Sequence, residues 1–210
     1  MQKKSEFSSS PFFIVIAGPN GAGKSTTSKE ILRPYEIEAF DWDKEFQSVW
    51  RKFGFDPLLA EGIRESINSK FESYLSHSFS QDKSVAYETN FHSEYNILLA
   101  NKAKKLGYAT ILYFLALTDP IIAIQRVQER VRKGGHAVSE STIRERFTRG
   151  LQIFDDKAIS AFDRIALYNS SNNSFELQFV IEDQMPIFIK DVDSNLITLL
   201  PNLKVLLGYG

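Results

Sequence analysis

The chain contains no cysteine. That excludes disulfide frameworks, thiolate nucleophiles, Cys-ligated zinc and iron–sulfur clusters. Histidine is nearly as scarce: His77, His92 and His136 are scattered without the spacing of a metal site. An excess of one charge is missing too, because 25 Lys and Arg against 26 Asp and Glu leave a formal net charge of −1. No global field therefore draws the molecule to nucleic acid or to an anionic membrane. Long apolar runs are also lacking, since Phe12 to Ala17 and Ala109 to Leu117 fall well short of the ~20 residues that span a bilayer. Lys3 and Lys4 ahead of the first run imitate a secretory signal. The run is too short for one and passes into Gly18-Pro19-Asn20-Gly21 rather than a small-residue cleavage site. The expected location is cytoplasmic, with neither nucleic acid nor membrane as a partner.

What is present is enough for a packed core: 43% hydrophobic and 13% aromatic residues in a chain of 210. At about 150 residues per domain, that length points to one α/β-sized unit. The Ser-rich stretch Ser8 to Ser10 ends an expected flexible tail over 1–10, and 11–210 reads as a single domain. Phe12 to Ala17 reads as a buried strand that feeds a helix from about Lys24 to Leu32. A short strand over Ile37 to Phe40 precedes a long amphipathic helix from Pro57 to His77, with Leu59, Ile63, Ile67, Phe71 and Leu75 at four-residue spacing. Strands over Ser84 to Glu88 and Ala109 to Leu117 flank a helix at Tyr95 to Lys105. Asp119-Pro120 caps and starts the next helix, which buries Ile124, Val127 and Val131 and stops at Gly134-Gly135. Ser139 caps a further helix burying Ile143, Phe147, Leu151 and Phe154, and Arg164 to Tyr168 is a fifth strand. This alternation predicts a mostly parallel five-stranded sheet flanked by helices. The remainder, over 174–210, reads as an antiparallel hairpin at the sheet edge with a short helix near Leu199.

The chemistry-bearing motif is Gly18-Pro19-Asn20-Gly21-Ala22-Gly23-Lys24-Ser25, which fits G-x-x-x-x-G-K-[ST] and stands between the first strand and the first helix. Glycines let successive N–H groups turn inward, and the helix N-terminus adds partial positive charge, so the loop cradles an anion. Gly18, Asn20, Gly21, Ala22, Gly23, Lys24, Ser25 and Thr26 are thus candidate nucleotide-binding residues. Lys24 would reach the β and γ phosphates, and Ser25 would offer its hydroxyl to Mg²⁺. The expected ligand is a nucleoside triphosphate with magnesium.

The loop alone does not choose among phosphate-loop proteins. Asn101-Lys102 is followed by Ala103-Lys104, so the base-reading N-K-x-D of GTPases is missing, and no L-S-G-G-Q-like run supports a transporter ATPase. Ligands of open α/β sheets bind beyond the carboxyl ends of the strands, which singles out Asp41, Asp43 and the run Glu88-Thr89-Asn90. If the strand continued extended, Asp41 and Asp43 would face one side, where one could accept a proton from a substrate hydroxyl; the competing role for either is to cap a helix beginning near Lys44. From Arg126 to Arg149, seven basic residues meet three acidic ones. Arg126 and Arg130 share a helix face, and Gly134-Gly135-His136 could hinge a lid-like segment over 126–150. Arginines placed so can neutralise a transferring phosphoryl group. Trp42 is suited either to stacking on a base or sugar or to ordinary packing.

Taken together, Gly18 to Thr26, the Asp43 segment, Glu88-Thr89, Arg126-Val127, Arg130-Val131-Arg132, Gly134 to Val138, Arg146-Phe147, Arg149-Gly150-Leu151 and Tyr168-Asn169-Ser170 resemble the zeta-toxin-like P-loop kinases. The resemblance implies an ATP-dependent kinase acting on a sugar hydroxyl, with UDP-N-acetylglucosamine or a related sugar nucleotide among its acceptors. It implies Asp43 as general base, and Glu88 and Thr89 at the substrate or the magnesium shell. It implies Arg130 with Arg132 or Arg146 over the phosphates, and Asn169 near adenine. Where the toxins carry Glu-Gly-Thr, this chain has Glu88-Thr89-Asn90. The expectation is phosphoryl transfer from MgATP to a small, anionic acceptor, with an antitoxin as a possible protein partner. An ATP-hydrolysing switch acting on a protein, or a catalytically silent member of a toxin–antitoxin pair, stands as the alternative.

Overall fold

A computed structural model describes residues 10–135, 137–172 and 174–209. His136 and all but the last residue of the expected tail over 1–10 lie outside the described residues. In chain order, β1 (Phe12–Ala17) leads into α1 (Lys24–Leu32), a 3-10 turn at Arg33–Tyr35, β2 (Phe40–Asp41) and α2 (Trp42–Lys52). A second 3-10 turn at Pro57–Leu59 precedes α3 (Ala60–Ser80), β3 (Val85–Thr89), α4 (Tyr95–Lys105), β4 (Ala109–Ala116), α5 (Pro120–Arg132) and α6 (Glu140–Ile153). A π-helical stretch at Phe154–Ala158 and α7 (Ile159–Ala161) lead to β5 (Arg164–Asn169), the hairpin of β6 (Glu176–Glu182) and β7 (Met185–Ile189), then α8 (Ser194–Thr198) and α9 (Pro201–Leu206).

The sheet runs β2-β3-β1-β4-β5-β6-β7, with the first five strands parallel and the last two antiparallel. β1 is central, and Phe13 to Ala17 are fully buried because helices cover both faces, which is why the strand reads as an unbroken apolar run. Register aligns the strand ends at the site: Ile16 is level with Glu88, Ala17 with Thr89, and Asp41 with Glu88. The chain leaves β1, β2 and β3 at one edge, where an open α/β sheet places its ligands.

Asp119 caps α5 as expected, its carboxylate accepting from the Ile121 N–H at 2.7 Å. Ser139 caps α6 by accepting from the Thr142 N–H at 3.2 Å. Three details differ from the sequence reading. The second strand is only Phe40–Asp41 rather than Ile37 to Phe40, since this edge strand has just two register pairs with β3 and the chain turns into α2 at once. The long helix starts at Ala60 and continues to Ser80, because Asp56 and Pro57 first close a 3-10 turn. Val131 is 37% exposed, because the buried stripe of α5 is Ala123, Ile124 and Val127, with Ile122 packed at its side.

Besides the main core, Phe46, Ile63 and Ile67 form a smaller cluster between α2 and α3, with Trp42 and Trp50 packed against it. This helix pair stands over the β2 edge and forms one wall of the site. At the other edge, Asp183 and Gln184 both take positive φ (47° and 65°) in the β6–β7 turn, as a two-residue hairpin of that twist requires. Leu196, Leu200 and Leu203 after the hairpin are fully buried.

Candidate active site

The phosphate loop curls as its glycines permit. Gly18, Gly21 and Gly23 have φ of 146°, 77° and 87°. Gly18 has no room for a side chain, since a Cβ there would lie 2.3 Å from the Leu115 carbonyl oxygen. Ala22 is buried, and the Phe175 ring closes one side of the loop against Gly23. Asn20 is 2% exposed and its Oδ1 has no hydrogen-bond partner among the described residues.

Lys24, the first residue of α1, donates to the carbonyls of Gly18 (2.7 Å) and Pro19 (3.1 Å) and to Asn90 Oδ1 (3.0 Å). Burial lowers the pKa of its ammonium, opposed by the charges of Asp43, Glu88 and Asp41 and assisted by Arg130. Ser25 Oγ lies 2.7 Å from Glu88 Oε2 and 3.0 Å from Asp41 Oδ2. The hydroxyl has a single proton, so it donates to one of the two carboxylates at a time. Glu88 is pushed above the usual carboxylate range, first by burial and then by Asp41, against hydrogen bonds from Ser25 and Ser28. Hydroxyl and carboxylate oxygens so gathered are the hard donors that suit Mg²⁺, and they fit it without supplying a complete cage. Among the described residues, no cluster of three His, Cys, Asp or Glu side chains forms a metal site by itself.

These groups share one cleft of about 590 Å³. It brings together Asn20, Gly21, Gly23, Lys24, Ser25 and Thr26 of the loop with Asp41, Asp43, Glu88, Thr89 and Asn90 of the strand ends, and with Arg126, Arg130 and Arg146. Asp41 and Asp43 reach it by another route than strand alternation. Asp41 is the N-cap of α2, its Oδ1 accepting from the Lys44 N–H at 3.0 Å, and Asp43 follows in the first helical turn. Arg126 fastens α5 to the loop by donating to the carbonyls of Gly21 (3.2 Å) and Ser171 (2.9 Å).

Of the expected loop residues, Gly18 and Ala22 are buried behind the cleft and do not line it, and two expected residues outside the loop lie elsewhere. Arg132 is exposed and outside the cleft, about 200° around the helix from Arg130 at 100° per residue. Asn169 is buried at the end of β5, its amide donating to Asp193 Oδ2 (3.3 Å) and accepting from the Ser171 N–H (3.0 Å), so it ties the chain turn rather than lining the cleft. Conversely, the cleft also takes Phe40, Asn68, Phe71, Tyr87, His92, Ser93, Tyr95 and Asn96. Phe71 belongs to the apolar stripe of α3, but periodicity does not reveal that the stripe runs out over a cavity.

A P-loop at the end of the central strand, carboxylates at the ends of β3 beside it and of β2 beyond, and arginines on the following helices define a P-loop protein of kinase-like fold. The sequence profile described as Zeta toxin matches residues 1–177, and the chain belongs to that family. No curated protein matches it in sequence. Among solved structures, it is similar to one from the PezAT chromosomal toxin–antitoxin system of Streptococcus pneumoniae, at 16% identity and a TM-score of 0.58, covering 99% of this chain and 82% of that one. It is also similar to a chain of the AvrRxo1-ORF1:ORF2 complex with ATP, at 13% identity and a TM-score of 0.69, covering 91% of this chain and 63% of that one. At such identities the likeness concerns the fold.

Proposed function

We propose that the protein transfers the γ-phosphoryl group of MgATP to a hydroxyl of a small molecule. The observation that carries this reading is the meeting of the phosphate loop with strand-end carboxylates in one cleft, where Ser25 lies 2.7 Å from Glu88 and Asp43 acts electrostatically on Lys24. The loop N–H groups and Lys24 would hold the β and γ phosphates, Lys24 exchanging a carbonyl for phosphate oxygen while Asn90 keeps it in place. Ser25 and Glu88, with Asp41 beside them, would hold Mg²⁺, which when bound neutralises charge on the phosphate oxygens. Asp43 accepts the acceptor's hydroxyl proton as its oxygen bonds to the γ phosphorus, and the bond to the β-phosphate oxygen breaks to release ADP. Arg130 and Arg146 stabilise the charge spread over the transferring group. We read 126–150 as the lid that brings them in, within one domain over 11–210, with the turn at Gly134 (φ 86°) as its bend.

The ATP in the AvrRxo1 complex and the toxin–antitoxin system of the PezAT structure support ATP as donor and a protein antitoxin as partner. The cytoplasm is the compartment this reading implies. A sugar nucleotide such as UDP-N-acetylglucosamine, implied by the resemblance alone, is one candidate acceptor.

The test is Asp43→Asn, which should keep ATP affinity and lose transfer by about two or more orders of magnitude, the weight of a general base. Lys24→Ala should weaken both. Undiminished transfer in Asp43→Asn removes the base and with it the reading. Phosphate release with no phosphorylated acceptor would instead favour a switch driven by ATP hydrolysis.

A further inference from the structure

The Lys24 ammonium has three protons, and all three are engaged. Two go to the carbonyls of Gly18 (2.7 Å) and Pro19 (3.1 Å) in its own loop, and the third goes to Asn90 Oδ1 (3.0 Å), 66 positions away in the chain. Of these bonds, the last ties the lysine to a different element.

Asn90 stands in a turn that the backbone does not adopt freely. The next residue, Phe91, has a φ of 57°, a left-handed conformation that a bulky side chain rarely takes. Its N–H donates to Thr89 Oγ1 at 3.1 Å, and its fully buried ring lies 5.9 Å from that of Phe114 and 6.4 Å from that of Phe162, centroid to centroid. Strain of this kind persists where the surroundings over-determine it, and it gathers at functional sites.

The same turn seats α6. Gly150 is buried in that helix, and a Cβ there would lie 3.0 Å from the Asn90 carbonyl oxygen, so the helix rests on the main chain of the turn with no slack for a methyl group. Close by, Glu94 pairs with Arg149 (3.3 Å) and with Lys157 (2.7 Å), which fastens the helix at a second point. Arg146 stands one helical turn before Gly150 and lines the cleft. One short piece of chain therefore meets two cations of the phosphate site through different atoms: Lys24 through the Asn90 side chain, and Arg146 through the helix that leans on the Asn90 carbonyl.

We infer that Asn90 is a positioning residue, and that the Thr89–Phe91 turn sets the spacing between Lys24 and Arg146 across the transferring phosphoryl group. This rests on the phosphoryl-transfer reading and deepens it. As phosphate enters, Lys24 releases loop carbonyls and keeps Asn90, because that bond fixes the ammonium relative to α6. Asn90 takes part in no bond-making step and acts through Lys24.

The test uses the full chain. ADP formed from ¹⁴C-labelled ATP with Mg²⁺ in a deproteinised metabolite extract, which supplies the acceptor, gives the rate. The ³¹P spectrum of bound AMP-PNP with Mg²⁺ reports on the phosphates without turnover. Asn90→Ala should lower the rate about tenfold or more while the Kd for MgATP moves less than about threefold, since a misplaced cation costs rate more than binding. The β and γ resonances should shift and the α resonance should not. In a Lys24→Ala chain, Asn90→Ala should cost less than about twofold further in rate and add no ³¹P shift, because a residue that acts through another loses its effect once that other is gone. In an Arg146→Ala chain, Gly150→Ala should still move the β and γ resonances through the turn, and adding Asn90→Ala should abolish that movement. Independent, additive effects of Asn90→Ala and Lys24→Ala overturn the assignment and leave phosphoryl transfer standing. A rise in the Kd for MgATP that matches the rate loss also overturns it, since Asn90 would then bind nucleotide directly. A silent Gly150→Ala in the Arg146→Ala chain overturns the part given to the turn. No ADP from the parent protein, with the ³¹P results as expected, overturns transfer and leaves the link between Asn90 and Lys24 in force.

Discussion

Arg130 and Arg132 are two residues apart on α5, yet one lines the cleft and the other is turned to solvent. Side chains at i and i+4 share a helix face, which keeps Arg130 with Arg126; those at i and i+2 do not. Arg130 also depresses the Lys24 pKa electrostatically, which puts its charge within reach of the phosphate site. A cation at a transferring phosphoryl group is worth orders of magnitude in rate, whereas a solvated arginine on a helix end contributes next to nothing. Arg130→Ala should therefore lower kcat by about a hundredfold or more, and Arg132→Ala should leave it within about twofold. Steady-state kinetics on the two variants, both checked for unchanged melting temperature, decides the matter. Equal losses would mean that the lid rotates α5 by far more than the fold suggests.

At the scale of elements, most of the architecture can be read from the chain. The unbroken apolar strands are buried on both faces, and Asp119-Pro120 and Ser139 start their helices where caps should. The phosphate loop, Asp43 and Glu88 can be picked out because they stand at a strand end or a helix start, and Arg130 because it follows Arg126 by one turn of α5. What periodicity cannot supply is which stripe borders a cavity. Phe71 and Asn68 belong to α3, and only the pairing of α3 with α2 over the β2 edge brings them to the site. Asn169 misleads for a similar reason, since its partner Asp193 is contributed by a distant segment. Another such long-range tie lies at the opposite end of the strands. There Asp163 Oδ2 accepts from the Thr110 N–H and hydroxyl, both at 2.8 Å, and Lys104 pairs with Oδ1 at 2.9 Å, joining α4, β4 and β5. Burial works to raise the Asp163 pKa, but these donors prevail and hold it below the ordinary carboxylate value. A depressed carboxyl contributes stability above its unfolded pKa of about 3.9, and that contribution fades as the pH falls through the folded value. Asp163→Asn should thus cost about 1–3 kcal/mol at pH 7, with the gap to the parent protein closing as the pH drops below 4. Urea unfolding at pH 7 and pH 3 measures both; a gap that stays constant would show that Asp163 does not titrate against these partners.

For the molecule as a whole, the boundary of the family match and the boundary of the core do not coincide. The match ends at residue 177, inside β6, and every residue of the candidate site lies before it. The core continues beyond: Phe179, Leu196, Leu200 and Leu203 are fully buried and belong to the same apolar cluster as β1 and β4. The far segment is also keyed in by polar contacts. The Asp155 carboxylate, in the π-helical stretch after α6, accepts from the N–H groups of Asn202 (3.0 Å) and Leu203 (2.9 Å) and so caps α9 from the body of the fold. Removing one buried leucine side chain typically costs about 2–5 kcal/mol, against a total stability of about 5–15 kcal/mol for a domain. Loss of four large core side chains and the partner strand of β5 exceeds that margin. A chain ending at residue 177 should therefore retain all the proposed chemistry in sequence and yet fail to fold cooperatively. Circular dichroism should show no sharp thermal transition, and MgATP should not restore one. The milder Leu203→Ala should melt cooperatively at a lower temperature and still bind ATP. Cooperative melting of the shortened chain would mean that the hairpin and the last two helices are an appendage to the kinase-like fold, and that the core closes without them.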